Sequence, residues 1–343
     1  MDFMNIKRPI ALSTVALATL SLAACSTGAD SAASGAASGS TASGKVSVMA
    51  SFYPLKYLTE QIGGELTSVT SLTPDGAEPH DLELSPASVD QLGKADAVVY
   101  LKGFQSAVDE AVEHNAPKTV IDVAPAVQLV KVSDSGNHVD DHDHDADHDH
   151  DHEADHDHDH KAEHDHDHDH DMSTDPHFWL DPERMSQAAT LIGQALADAD
   201  PKNAQTYTSN AANVAHSMKD LGTELVSGTA TCEHTTFVTA HAAFGYLADR
   251  TGLTQVGISG LDPDSSPSPA RLQEISELVK AQGVSTIFTE ALIDPKVAET
   301  LAQDLGIETA VLDPIESQVN PNEDYAAAMR NNITALRTAL HCK

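Results

Sequence analysis

The sequence predicts an α/β fold: two parallel-sheet (βα) domains joined by a long linking α-helix. Three observations carry this prediction. Short β-rich runs alternate with helical stretches from Lys45 onward, the alternation recurs after Cys232, and a stretch rich in Ala, Gln, Leu and Met separates the two halves. Strands that alternate with helices give a parallel sheet, because parallel neighbours need a crossover between them. A length of 343 residues agrees with about two domains at ~150 residues each.

In the first half, Val46 to Ala50, Thr67 to Ser71, Ala97 to Tyr100 and Thr119 to Ile121 read as strands. Leu55 to Ile62, Ala87 to Gly93 and Phe104 to His114 read as the helices between them. In the second half the strands fall at Thr236 to Ala240, Thr254 to Ile258, Val284 to Thr289 and Glu308 to Leu312. Their helices fall near Ala243 to Thr251, Ala270 to Gln282, Pro295 to Leu305 and Asn322 to Leu340. Between the halves, Ala188, Leu191, Ile192, Ala195 and Leu196 share one helical face until Asp200-Pro201 breaks the pattern. Proline suits a first helical turn, so a second, longer helix from Pro201 is expected to carry the chain across. The expected divisions are 45–182, the linking helices 183–229, and 230–343.

The N-terminus points to export. Lys7 and Arg8 precede an apolar run from Ile10 to Leu22, too short to span a bilayer but the right length for a signal-peptide core, so residues 1–24 are expected to be removed. Leu22-Ala23-Ala24-Cys25 resembles the lipobox of bacterial lipoproteins, in which the cysteine is lipidated and becomes the mature N-terminus. Residues 26–44 are almost all Ser, Ala, Gly and Thr, a composition that tethers rather than folds. A domain lipid-anchored at the extracytoplasmic face of the membrane is expected. With Cys25 set aside, Cys232 and Cys342 remain, and an oxidising compartment favours a disulfide between them over metal ligation.

Nineteen basic against 53 acidic side chains give a formal charge of −34, which excludes nucleic acid as a partner because phosphate contacts need clustered Lys and Arg. The acidity concentrates at residues 138–171, where 13 of the 20 His alternate with 14 Asp, two Glu and a single Lys. The tract has no core-forming period and almost no apolar side chains, so a disordered, metal-binding surface loop is expected. Its candidate ligands are His142, His144, His148, His150, His152, His156, His158, His160, His164, His166, His168 and His170. Without a fixed shell these sites should bind more weakly than a preorganised one, since each must be ordered on binding.

Four further motifs fall in or near loops at the carboxyl ends of strands, the ligand-binding edge of a parallel sheet. They are Gly76-Ala77-Glu78-Pro79-His80-Asp81, Asp175-Pro176-His177-Phe178-Trp179-Leu180-Asp181-Pro182, Thr239-Ala240-His241, with His241 expected to open a helix directly off its strand, and Leu312-Asp313-Pro314. Three imidazoles and a carboxylate suit a borderline divalent ion such as Zn(II).

Taken in this order, the motifs resemble those of metal-binding, substrate-binding lipoproteins of bacterial ABC importers, and of their zinc-uptake branch in particular. The resemblance runs from about Lys45 to Cys342. It implies a metal held between the two domains by His80, His177 and His241, with Asp313 as the carboxylate and Glu78 as its competitor. Manganese-importing relatives usually carry Glu at the position of His241, so a third imidazole favours zinc. The expected partners are the zinc ion, a membrane permease and the membrane itself through the lipid anchor, with the chain a monomer. A zinc-dependent hydrolase is the enzymatic alternative, since three His around zinc with an open position can activate water. Asp313 would fill that position, so no enzymatic activity is expected. A manganese-binding importer component and a surface adhesin are the remaining alternatives.

Overall fold

The computed structural model describes residues 44–131 and 174–343. The signal segment 1–24, Cys25 with nearly all of its tether, and the His/Asp tract 138–171 lie outside the described residues. Strands β1 (Val46–Ala50), β2 (Thr67–Ser71), β3 (Ala97–Tyr100) and β4 (Thr119–Asp122) form one parallel sheet in the order β2-β1-β3-β4. Strands β5 (Thr236–Thr239), β6 (Thr254–Gly257), β7 (Thr286–Thr289) and β8 (Glu308–Val311) form a second parallel sheet with the equivalent order β6-β5-β7-β8. The central strands are apolar on both faces, as a helix-covered sheet requires: Val48, Val98, Val99, Val238, Ile287 and Phe288 are all buried. In each sheet the chain reverses its direction of growth between the first and third strands, the switch point where α/β sheets open a ligand crevice.

Around the first sheet lie α1 (Tyr53–Gly63), α2 (Pro86–Lys94), α3 (Ser106–Asn115) and the short α4 (Ala124–Val127); around the second lie α7 (Gly245–Thr251), α8 (Pro269–Gln282), α9 (Lys296–Leu305) and α10 (Tyr325–Ala339). Helix starts follow the local chemistry. Ser85 and Ser268 cap α2 and α8 by accepting from Ser88 N–H and Arg271 N–H, each with proline in the first turn. The stretch between the halves forms α5 (Pro182–Ala199) and α6 (Ala204–Thr229), the latter about 39 Å long at 1.5 Å per residue. Helix α6 packs on α1 of the first half and on α7 and α10 of the second, which makes it the linking helix. The two helices approach closely at Gly193, where a Cβ would lie 2.2 Å from Ala211 Cβ.

Cys232 is bonded to Cys342 across 110 residues, closing the second half from the end of α6 to the end of α10. In the chain-entropy model such a cross-link restrains the unfolded chain by about 4 to 5 kcal/mol. Replacing both cysteines by serine should therefore lower the unfolding free energy by about 2 to 5 kcal/mol, read from urea titrations of parent and variant. An unchanged midpoint would show that the bond contributes no net stability.

Candidate metal centre

The three imidazoles singled out in the sequence meet where the two halves face each other. His80 follows β2 in a loop pinned by Gln105, whose buried Nε2 donates to Pro79 O at 3.1 Å and to Thr73 Oγ1 at 2.9 Å. The ring of Phe104 meets His80 edge-on at 4.9 Å between centroids. His177 lies between Asp175-Pro176 and the 3-10 turn Phe178–Leu180. Asp175 Oδ1 accepts its backbone N–H at 2.9 Å and lies 2.8 Å from its Nδ1. His241 follows β5, and Glu290, just past β7, repeats the arrangement: its Oε1 accepts His241 N–H at 3.2 Å and lies 2.8 Å from Nδ1. The expected helix start at His241 is corrected: α7 begins at Gly245, and His241 sits in the turn before it.

With each Nδ1 tied to a carboxylate, His177 and His241 turn Nε2 toward a common centre. A fourth residue reaches that centre: Glu316 Oε1 lies 3.4 Å from His80 Nε2, 3.2 Å from His177 Nε2 and 3.5 Å from His241 Nε2. One potential ligand atom from each of His80, His177, His241 and Glu316 falls within 4.8 Å of the others, and all four residues are buried. Nε2 of His177 and of His241 have no hydrogen-bond partner, although both are sealed from water. Buried polar atoms are almost always partnered, so two converging orphans beside a carboxylate fit a divalent cation as the missing partner. Three imidazole nitrogens and one carboxylate form a donor set suited to zinc, and Nδ1 bonds to carboxylates are the usual support for zinc-ligating histidines.

Two sequence expectations are corrected here. Asp313 is not among the four converging residues, because its Oδ1 accepts the Ile315 N–H at 2.8 Å within its own loop; Glu316, three residues on, takes the place expected of it. Glu78 is also outside the group. Its two oxygens accept from His80 N–H at 3.0 Å and Asp81 N–H at 3.2 Å, and its Oε1 stays 4.0 Å from His80 Nε2.

The electrostatics follow from placing carboxylates and imidazoles together away from water. Burial by itself would lower the His241 pKa, but Glu290 and then Glu316 overcome it and raise the imidazole to about 10. His177 is likewise raised: burial opposes, and Asp175 and Glu316 prevail. Burial would push Glu316 up, yet the facing imidazoles of His177, His241 and His80 hold it well below the usual carboxylate range. Asp313 is pushed up to about 6, chiefly by burial, with Glu316 and Glu290 adding to the shift against the Ile315 N–H bond.

The family model for the zinc-uptake complex component A, periplasmic, matches residues 48–339. The chain is 35% identical over 298 residues to the zinc-binding protein AdcA of Streptococcus pyogenes serotype M3. That match covers 85% of this chain and 56% of the relative, so the chain spans little more than half of that relative's length. It is 31% identical over 306 residues to the high-affinity zinc uptake system protein ZnuA of Bacillus subtilis, covering 87% and 89% of the two chains. The solved structure of the laminin-binding protein Lmb of Streptococcus agalactiae, described as bifunctional with adhesin and metal-transporting activity, superposes with a TM-score of 0.71 at 29% identity. It covers 86% of this chain and 99% of its own. With its family model matched over nearly the whole described fold and two parallel sheets facing each other across three histidines and a glutamate, the chain belongs to the family of zinc-uptake complex component A.

Proposed function

We propose that the chain captures zinc outside the cytoplasm and delivers it to the membrane permease of an ABC importer, without chemistry of its own. The observation that carries this reading is the convergence of Glu316 and three imidazoles in which two buried Nε2 atoms lack partners. His80, His177, His241 and Glu316 are the ligands in this reading, and zinc is the cargo. Three neutral imidazoles favour zinc over manganese, which prefers oxygen donors. Four protein donors close a tetrahedral set, whereas a zinc hydrolase keeps a position open for water. His80 also lines an open cleft of about 500 Å³ with Asp81, Glu83 and Glu110, giving the ion an acidic approach from solvent. No helix among the described residues is long and apolar enough to cross a membrane. In this reading a lipid on Cys25 attaches the chain, and the His-rich tract 138–171 is an auxiliary, weaker metal store. The domain divisions 45–182, 183–229 and 230–343 complete it.

Metal analysis of the protein lacking residues 1–25, with and without residues 138–171, tests the reading. The loop-deleted form should retain one zinc ion per chain through dialysis, and the form with the tract should bind more. A loop-deleted protein that retains none would place the tight site in the tract and overturn the assignment. Delivery is tested separately: a deletion strain should grow poorly in zinc-depleted medium and recover when zinc is restored.

A further inference from the structure

We infer that Asp313 is a positioning residue, which sets Glu316 in the ion site by holding Ile315 in a left-handed backbone conformation. The inference deepens the zinc-capture reading and rests on it. Ile315 has φ of 56°, a region that β-branched residues avoid because Cβ crowds the adjacent backbone. Such a conformation persists only where its surroundings over-determine it.

This loop is restrained at successive residues. Asp313 Oδ1 accepts the Ile315 N–H at 2.8 Å. Asn332, buried on α10, brackets Asp313 by accepting its N–H at 2.8 Å and donating to its carbonyl at 2.6 Å. The indole of Trp179, in the 3-10 turn just before α5, donates to Pro314 O at 2.7 Å. Ile315 is itself 1% exposed, packed into the main core. On the far side of Glu316, Ser317 Oγ accepts the N–H of Gly76 from the loop that carries His80, at 2.7 Å. Glu316 is thus held between anchored neighbours, and the turn at Ile315 aims it at the three imidazoles. If the Asp313 acceptor is lost, Ile315 can relax toward common backbone angles, and the side chain that follows it swings out of the site.

The carboxylate of Asp313 is needed in this account only as a hydrogen-bond acceptor, a role that an amide oxygen also fills. In the loop-deleted protein, Asp313→Asn should bind zinc within about 3-fold of the parent. Asp313→Ala should bind roughly 10- to 100-fold more weakly, the range typical when support for a metal ligand is removed. Trp179 is the only tryptophan, so its emission reports on Pro314: it should shift in Asp313→Ala and stay in Asp313→Asn. Asn332→Ala loosens the same loop from α10 and should weaken binding in the same direction, which decides the matter if Asp313→Ala does not fold. An Asp313→Asn variant as weak as Asp313→Ala would show that the charge acts on the ion and overturn the inference. Unchanged affinity in Asp313→Ala, or in Asn332→Ala where that variant decides, would overturn it too. Glu316→Gln in the same titration examines the ligand set beneath it: parent-like binding there would remove Glu316 from the shell whatever Asp313 does.

Discussion

His177→Ala and His241→Ala, each made in the protein lacking residues 138–171, are expected to weaken zinc binding by roughly 10²- to 10³-fold. Four-ligand zinc sites bind with about 10 to 16 kcal/mol, so one ligand supplies about 2.5 to 4 kcal/mol, and each 1.4 kcal/mol is a factor of ten. The same substitutions strip Asp175 or Glu290 of the imidazole each carboxylate faces, at 1% and 6% exposure respectively. A buried charge that loses its partner costs about 3 to 5 kcal/mol, so the metal-free variants should also unfold at lower urea. His80→Ala should show the affinity loss with less effect on the metal-free fold, because His80 borders the open cleft where water can reach its neighbours. Calorimetric titration with zinc, paired with urea unfolding of the metal-free proteins, separates the two effects. Parent-like affinity in any of the three variants would remove that histidine from the shell.

Much of this site was legible in the sequence. The strand pattern placed His80 and His241 on carboxyl-end loops, and both are there, as is His177 beside them at the start of the linking segment. The fourth position was read one turn too early. An aspartate before proline commonly bonds the backbone two residues on, and Asp313 does this with Ile315, which occupies its carboxylate and leaves Glu316 to converge with the three imidazoles. Leu312-Asp313-Pro314-Ile315-Glu316 contained the signal, because the Asx turn predicts which of its two acids is free. The same turn chemistry at Asp175-Pro176-His177 was readable locally. Glu290 was not: it approaches His241 from a strand 49 residues away, and only the pairing of β5 with β7 brings the two together. Helix starts erred by up to four residues: α6 begins at Ala204 rather than Pro201, α10 at Tyr325 rather than Asn322, and at His241 a turn intervenes between β5 and α7, which begins at Gly245.

Zinc binding should release protons at neutral pH and strengthen well above it. With ordinary imidazoles near pH 6.5, the affinity would level off just above that value, once the ligands were neutral. The buried carboxylates change this: His241 is raised to about 10 and His177 is raised as well, so the metal-free centre holds protons on imidazoles that face Glu316. A raised folded-state pKa stabilises the metal-free form fully below the unfolded value of ~6.5, and that stabilisation is lost as pH climbs through about 10. The ion must displace the same protons, so affinity should rise across the interval in which the metal-free form loses stability. The slope should be about one decade per pH unit from His241, steepening toward two where His177 is also protonated. Glu316, held below the usual range, is ionised throughout and contributes no proton. Competition titrations of the loop-deleted protein from about pH 6 to 9 give the slope, and calorimetry in buffers of different ionisation enthalpy gives the proton count. At least one proton per zinc at pH 7.5, from His241, is the expected result. An affinity flat above pH 7 with no proton release would mean that the imidazoles are already neutral, and that Asp175 and Glu290 orient them without holding a proton on them.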